Sequence, residues 1–236
     1  MKTITNLSKN FSPKIRLNKS IKFIIIHYTG MQSEIESIKR LKNIKSKVSC
    51  HYLINRSGRI TQMVKDNRVA WHAGKSKWKN FKNLNEDSIG IELVNKGHEF
   101  GYQNFSNIQI TSVINLCKYL KKKYNISKEN FLGHSDIAPL RKSDPGEKFP
   151  WKRLSKFNLG CWHSDDKKKL KLINQKKIES LFFKNLYKIG YRYFDILKRN
   201  KKDKFIIKSF QQHYLPQKVS GKIDTKTFKI SHFLAN

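Results

Sequence analysis

The chain has 236 residues, 38% of them hydrophobic and 12% aromatic, which excludes a disordered segment and suffices for one good-sized core plus a small module. Its 50 Lys and Arg against 17 Asp and Glu give a net charge of +33, a field that favours polyanions. The lysines are spread over the whole length rather than gathered on one face, so no specific nucleic-acid role is expected; three cysteines exclude a disulfide framework and fit a reducing compartment.

In chain order, residues 1–18 are polar and basic and read as a loosely held arm, without the apolar stretch of a signal peptide. Phe23 to Ile26 form a short buried strand that ends in His27 and a Thr-Gly stop. Ser33-Glu34-Ile35-Glu36 is a capping box opening a helix through about Leu41. Two apolar runs around Asn55-Arg56-Ser57-Gly58 predict a hairpin. In "DSIGIELVN", Ile89, Ile91 and Leu93 alternate with Gly90, Glu92 and Val94, as a strand requires. Helical spacing of Ile110, Val113, Ile114, Cys117 and Leu120 predicts a helix over 107–124, and Phe131-Leu132 a last short strand. Mixed strands and helices make residues 19–157 an α/β domain, a mixed central β-sheet flanked by helices. The polar stretch 158–176 reads as a linker. Residues 177–236 then show three helical segments: one with Ile178, Leu181, Phe182, Leu186 and Ile189 on a face, a second with Ile206, Phe210 and Tyr214, and a third capped by Asp224 or Thr225. This last region predicts a small, separate, all-α three-helix domain. No run reaches the roughly 18–20 apolar residues of a membrane span.

The residues that could do chemistry stand at the ends of these elements. His27 lies at the carboxyl end of a buried strand, where α/β sheets place functional groups, and His134 follows Phe131-Leu132-Gly133 in the same way. Asp144 comes ten residues after His134 in Ser-Asp-Pro-Gly. Two imidazoles, one carboxylate and a position left to water make a catalytic zinc arrangement; Asp144 read alone is also a good turn residue. Glu92 is a carboxylate in an apolar strand, where burial raises its proton affinity and suits it as a base, unless the position faces solvent. Lys142, two residues before Asp144, points the same way in an extended segment and offers a cation for an oxyanion; alone it is one lysine among many. Asp136 reads as a turn or capping residue. His98, His163, His213 and His232 carry no signal beyond surface or packed histidines.

The ordered stretches "FIIIHYT", "VSCHYLINRSGRI", "VAWHAG", "SIGIELVN" and "GHSDIAPLRKSDPGEKFPW" resemble the zinc-dependent N-acetylmuramoyl-L-alanine amidases of the AmpD/AmiD type, a family related to phage lysozyme-like amidases and peptidoglycan-recognition proteins. The resemblance covers about residues 19–157. It implies one Zn2+ ion held by His27, His134 and Asp144, with Glu92 as the catalytic base and Lys142 facing the metal. It also places His72 at the border of the substrate groove, with Arg141 as a further substrate contact, and gives His51 a role in supporting the sheet. Cys50 stands where related amidases carry a tyrosine, which removes any tyrosine-assisted step; a packed thiol is expected there. "IIKSFQQHYLPQKVSGKIDTKTFKI" resembles the peptidoglycan-binding domain appended to AmiD-like enzymes.

The resemblance thus implies hydrolysis of the amide between N-acetylmuramic acid and L-alanine in peptidoglycan or (anhydro)muropeptides, in cell-wall turnover or recycling. The alternative is a non-catalytic peptidoglycan receptor that keeps the fold, against which the full residue set speaks. The missing apolar leader fits cytoplasmic recycling of soluble fragments, whereas the two-domain layout is similar to AmiD-like enzymes of the cell envelope.

Overall fold

A computed structural model describes residues 2–164 and 175–236. The chain opens with two short strands, β1 (Thr3–Thr5) and β2 (Phe11–Ile15), then the buried strand β3 (Phe23–Tyr28) and helix α1 (Glu34–Lys42). Ser33 caps α1 by accepting the Glu36 N–H at 3.1 Å, as the capping box predicts. β4 (Tyr52–Ile54) and β5 (Ile60–Gln62) are the expected antiparallel hairpin. They are followed by β6 (Arg68–Ala70), the two-residue strands β7 (Lys77–Trp78) and β8 (Phe81–Lys82), and β9 (Ser88–Leu93). Helix α2 (Asn107–Tyr124) starts on a Ser106 cap and ends on Asn125 in the left-handed conformation, which asparagine tolerates. β10 (Phe131–Gly133) runs directly into one turn of helix, α3 (His134–Ile137), and α4 (Trp151–Ser155) follows. The C-terminal part holds α5 (Gln175–Ile189), α6 (Asp203–Tyr214) and α7 (Thr225–Ala235), the last capped by Asp224. Among the described residues no helix is long and apolar enough to cross a membrane.

Six strands form one mixed sheet in the order β1-β5-β4-β9-β3-β10, parallel except at the hairpin. Side-chain alternation divides its centre into two faces. Ile24 and Ile26 of β3 and Ile89, Ile91 and Leu93 of β9 pack against α2 in one core. The other face carries Phe23, Ile25 and His27 of β3, in register with Ser88, Gly90 and Glu92 of β9. Two apolar clusters cover that face. One joins Leu41 of α1 to Cys50, Leu53, Met63 and Val94. The other joins Phe23, Ile25, Leu132, Ile137 and Ala138 to Phe182, Phe183, Leu186, Tyr191, Ile206, Phe210 and Phe228. The polar residues of this face lie between the two clusters.

The three expected C-terminal helices form, α5 packs against α7, and their apolar residues share one cluster with Phe23, Ile25 and Leu132 of the sheet. The arm is not loosely held. β1 pairs with β5, β2 with β6, and Ser8 Oγ donates to Leu41 O at 2.6 Å. Arg16, 5% exposed, donates from Nε to Asp66 O (2.9 Å) and from Nη1 to Glu86 O (3.1 Å) and Ser88 O (2.6 Å). Buried carbonyls need donors, and the arm supplies them. Of the expected linker, residues 165–174 lie outside the described residues, whereas Leu159 is buried in the core under α2 and Trp162 packs against both large clusters.

Candidate metal centre

The carboxyl ends of β3 and β10, adjacent parallel strands, bring His27 and His134 together from 107 positions apart. Asp144 joins them because its carbonyl accepts the Ser135 N–H at 2.8 Å, which folds the segment after α3 back onto the strand end. His27 Nδ1 and His134 Nδ1 lie 3.0 Å apart, and Asp144 Oδ2 lies 3.0 Å from the first and 3.1 Å from the second. All three residues are buried.

The hydrogen bonds behind the two rings decide which nitrogens carry protons. Ser88 Oγ donates to Leu84 O at 2.5 Å, so it accepts from His72 Nε2–H at 3.2 Å. His72 Nδ1 is then the acceptor for His27 Nε2–H at 3.0 Å, and His27 Nδ1 keeps its lone pair. His134 Nε2 lies 3.1 Å from Ala73 O and 3.2 Å from Arg141 Nη2; with its proton on Nε2, donated to Ala73 O, the Nδ1 lone pair of His134 is bare as well. Burial, followed by the neighbouring His134, pushes the His27 pKa down to about 4, so the ring is neutral near pH 7. Two imidazole lone pairs and a carboxylate oxygen therefore converge on one point, an arrangement that repels itself unless a cation is shared. The separations of 3.0–3.1 Å come close to the edge of about 3.3 Å that a tetrahedral ion with bonds of about 2.0 Å sets between its ligands. The donor set fits a metal ion.

Glu92 pairs with His27 across β3 and β9 and projects to the same side. Its Oε2 is buried without a hydrogen-bond partner among the described residues. Burial, then the Asp144 charge, raises its proton affinity well above the ordinary glutamate value, and Lys142 offsets part of this. Glu92, Lys142, Asp144, His134 and His72 all line one cavity of about 870 Å³ that opens to solvent. Cys50 lies beneath in an apolar cluster, its thiol raised by burial, as expected of a packed residue. His51 supports β9, accepting the Gly90 N–H on Nδ1 at 3.0 Å. Gly90 must be glycine: a Cβ there would lie 2.3 Å from His72 Cγ.

The expected substrate contacts are placed differently from one another. His72 reaches the cavity wall but is 6% exposed and hydrogen-bonded to His27. Arg141 reaches it too, with its guanidinium turned onto the carbonyls of Ala73 and Lys75. Sequence reasoning passed over Tyr28, His98 and Ser143, which also line the cavity, and Glu147 behind them. Tyr28 Oη lies 2.8 Å from His98 Nδ1, and His98 Nε2 lies 3.2 Å from Glu147 Oε2, next to Ser143. The histidine holds Glu147 below the usual carboxylate range. Only the fold brings these residues together, since 70 positions separate the first pair and 49 the second.

Residues 17–147 match the Amidase_2 family, described as N-acetylmuramoyl-L-alanine amidase. The amidase AmiD of Escherichia coli K12 is 33% identical over 229 residues, 91% of this chain and 82% of that protein. The 1,6-anhydro-N-acetylmuramyl-L-alanine amidase AmpD of Haemophilus influenzae is 44% identical over 108 residues, 45% of this chain and 56% of its own. The solved complex of E. coli AmiD with anhydro-N-acetylmuramic acid-L-Ala-D-gamma-Glu-L-Lys superposes with a TM-score of 0.79 at 30% identity, covering 96% of this chain and 92% of that one. AMPDH3 of Pseudomonas aeruginosa, in complex with anhydromuramic pentapeptide, gives 0.81 at 28% identity and 95% coverage of both. The chain belongs to the N-acetylmuramoyl-L-alanine amidase family and is an enzyme of that class.

Proposed function

We propose that the chain hydrolyses the amide between N-acetylmuramic acid and L-alanine in anhydro-muropeptides, in cell-wall turnover or recycling, with one zinc ion held by His27, His134 and Asp144. The observation that carries this reading is the convergence of the two bare Nδ1 atoms and the Asp144 carboxylate beside Glu92. The anhydro-muropeptides bound by AmiD and AMPDH3 support the substrate class.

A zinc ion in that triangle supplies a Lewis acid that polarises the scissile carbonyl and acidifies water. Glu92 accepts the proton of the attacking water; its raised proton affinity makes its ionised form the stronger base. It then returns that proton to the leaving L-alanine nitrogen. Lys142 brings a positive charge to the oxygen on which negative charge develops. His72 keeps His27 in the required tautomer from behind. Arg40, Lys47 and Lys142 give the cavity basic positions that suit the carboxylates of a stem peptide. Residues 177–236 add a peptidoglycan-binding module in this reading.

Purified protein with zinc is expected to release stem peptide from anhydro-muropeptides, and EDTA to stop it. Undiminished release by His134→Ala would remove these residues from the site.

A further inference from the structure

We propose that the C-terminal helices complete the metal centre, with Tyr191, Gln212 and His213 acting as positioning residues for the segment that carries His134 and Asp144. The inference rests on the reading of those two residues as metal ligands. A tetrahedral donor set has to be held to within about 0.5 Å, and a single helical turn such as α3 does not hold itself. The anchor is Asp136, two residues after His134 and 1% exposed. Its Oδ2 accepts the Gly133 N–H at 2.7 Å and His213 Nδ1–H at 2.7 Å, and its Oδ1 accepts the Tyr191 O–H at 2.5 Å. One of the three donors is the amide just before the ligand, and the other two come from the C-terminal part. A buried carboxylate depends on such donors, so the position of α3 depends on them too.

The His213 ring is itself fixed, stacked on Trp151 of α4 at 4.0 Å and 14°. Tyr191 packs edge-on against Trp78, and the Lys79 N–H donates to Gly190 O at 2.8 Å. At the far end of the segment, three residues beyond Asp144, Gln212 Nε2 donates to Glu147 Oε2 at 3.4 Å. Helix α6 thus reaches the segment at Asp136, between the two ligands, and at Glu147, beyond the second. The room between them is small: a Cβ on Gly133 would lie 2.7 Å from Pro145 Cδ, so a shift of α3 is passed directly to the residue after Asp144.

The test uses the full-length protein, with zinc affinity measured by chelator competition and site geometry read from the visible spectrum of the cobalt-loaded protein. Tyr191→Phe removes one donor at nearly constant shape, and His213→Leu removes another. Both are expected to weaken zinc binding about tenfold and to shift the cobalt bands, with His213→Asn restoring much of the loss because its amide replaces Nδ1–H. Ser231→Ala is the control, since Ser231 bonds only within the helices, to Asn185 and Phe228 in the bonds seen, and is expected to lower the melting temperature with both metal readouts unchanged. Wild-type affinity and spectrum in Tyr191→Phe and His213→Leu would overturn the brace while leaving the metal assignment standing. Absence of one-to-one zinc binding by the wild-type protein would instead overturn the metal assignment, and the brace with it.

Discussion

At the scale of single residues, Glu92 faces a conflict that chemistry can use. It is a carboxyl group with a buried, unpartnered oxygen, next to the Asp144 charge and on the strand beside His27. Glu92→Gln keeps the shape and removes the base. The expected result is a fall in kcat of about 10²–10⁴-fold at unchanged zinc content, measured by steady-state hydrolysis and metal analysis. A variant that loses zinc as well would make Glu92 part of the metal-holding frame instead. His27 and His134 stand out in the sequence because each follows an apolar strand, whereas Glu92, Lys142 and Asp144 join them only through the family resemblance. The Tyr28–His98–Glu147 set was not legible: His98 lies in a polar loop, and nothing local marks which residues face it.

At the scale of elements, legibility follows length and period. The strands β3 and β9 and the helices α1, α2, α5, α6 and α7 each repeat their apolar pattern long enough to be read. The strands β1, β2, β6, β7 and β8 have two to five residues and carry no such period. The segment from β1 to Arg16 shows what this conceals. Its basic composition reads as a loose arm, but Arg16 is the buried donor to carbonyls of the β8–β9 turn and of Ser88 at the start of β9, and its Nη2 lies 2.8 Å from His51 Nε2. Lysine has one compact ammonium where arginine has a fork, so Arg16→Lys leaves several of these carbonyls without a donor. A loss of about 2–3 kcal/mol is expected, read as a lower urea midpoint at unchanged slope. An unchanged midpoint would return the arm to a peripheral role.

At the scale of the whole molecule, the buried histidines set the acid limit of stability. Burial, followed by the nearby Arg16, pushes the His51 pKa down to about 3, and burial with His27 holds His72 well below the ordinary value. An unfolded histidine takes up its proton near pH 6.5, whereas these folded ones do not. Between those values the unfolded state binds more protons, so their stabilising effect is complete above about pH 6.5 and is lost as the pH falls. Each histidine contributes up to about 1.4 kcal/mol per pH unit to that decline. Denaturation midpoints are expected to drop steeply from pH 7 to pH 5, and a flat profile would contradict neutral burial. The shared core is the feature of this scale that the sequence left hidden. The apolar stripes of α5, α6 and α7 announce that they are covered, but a stripe does not say whether its cover is another helix or a sheet.

That shared core also orders events during synthesis. His27, Glu92, His134 and Asp144 all leave the ribosome before any residue of α5. Phe23, Ile25 and Leu132 wait for Phe182, Phe210 and Phe228, and Asp136 waits for Tyr191 and His213. A chain stopped short of α6 carries the three proposed metal ligands but lacks His213 and Phe210, which pack against the segment that holds two of them. On the proposal made above, the site is finished from the C-terminal side of the chain.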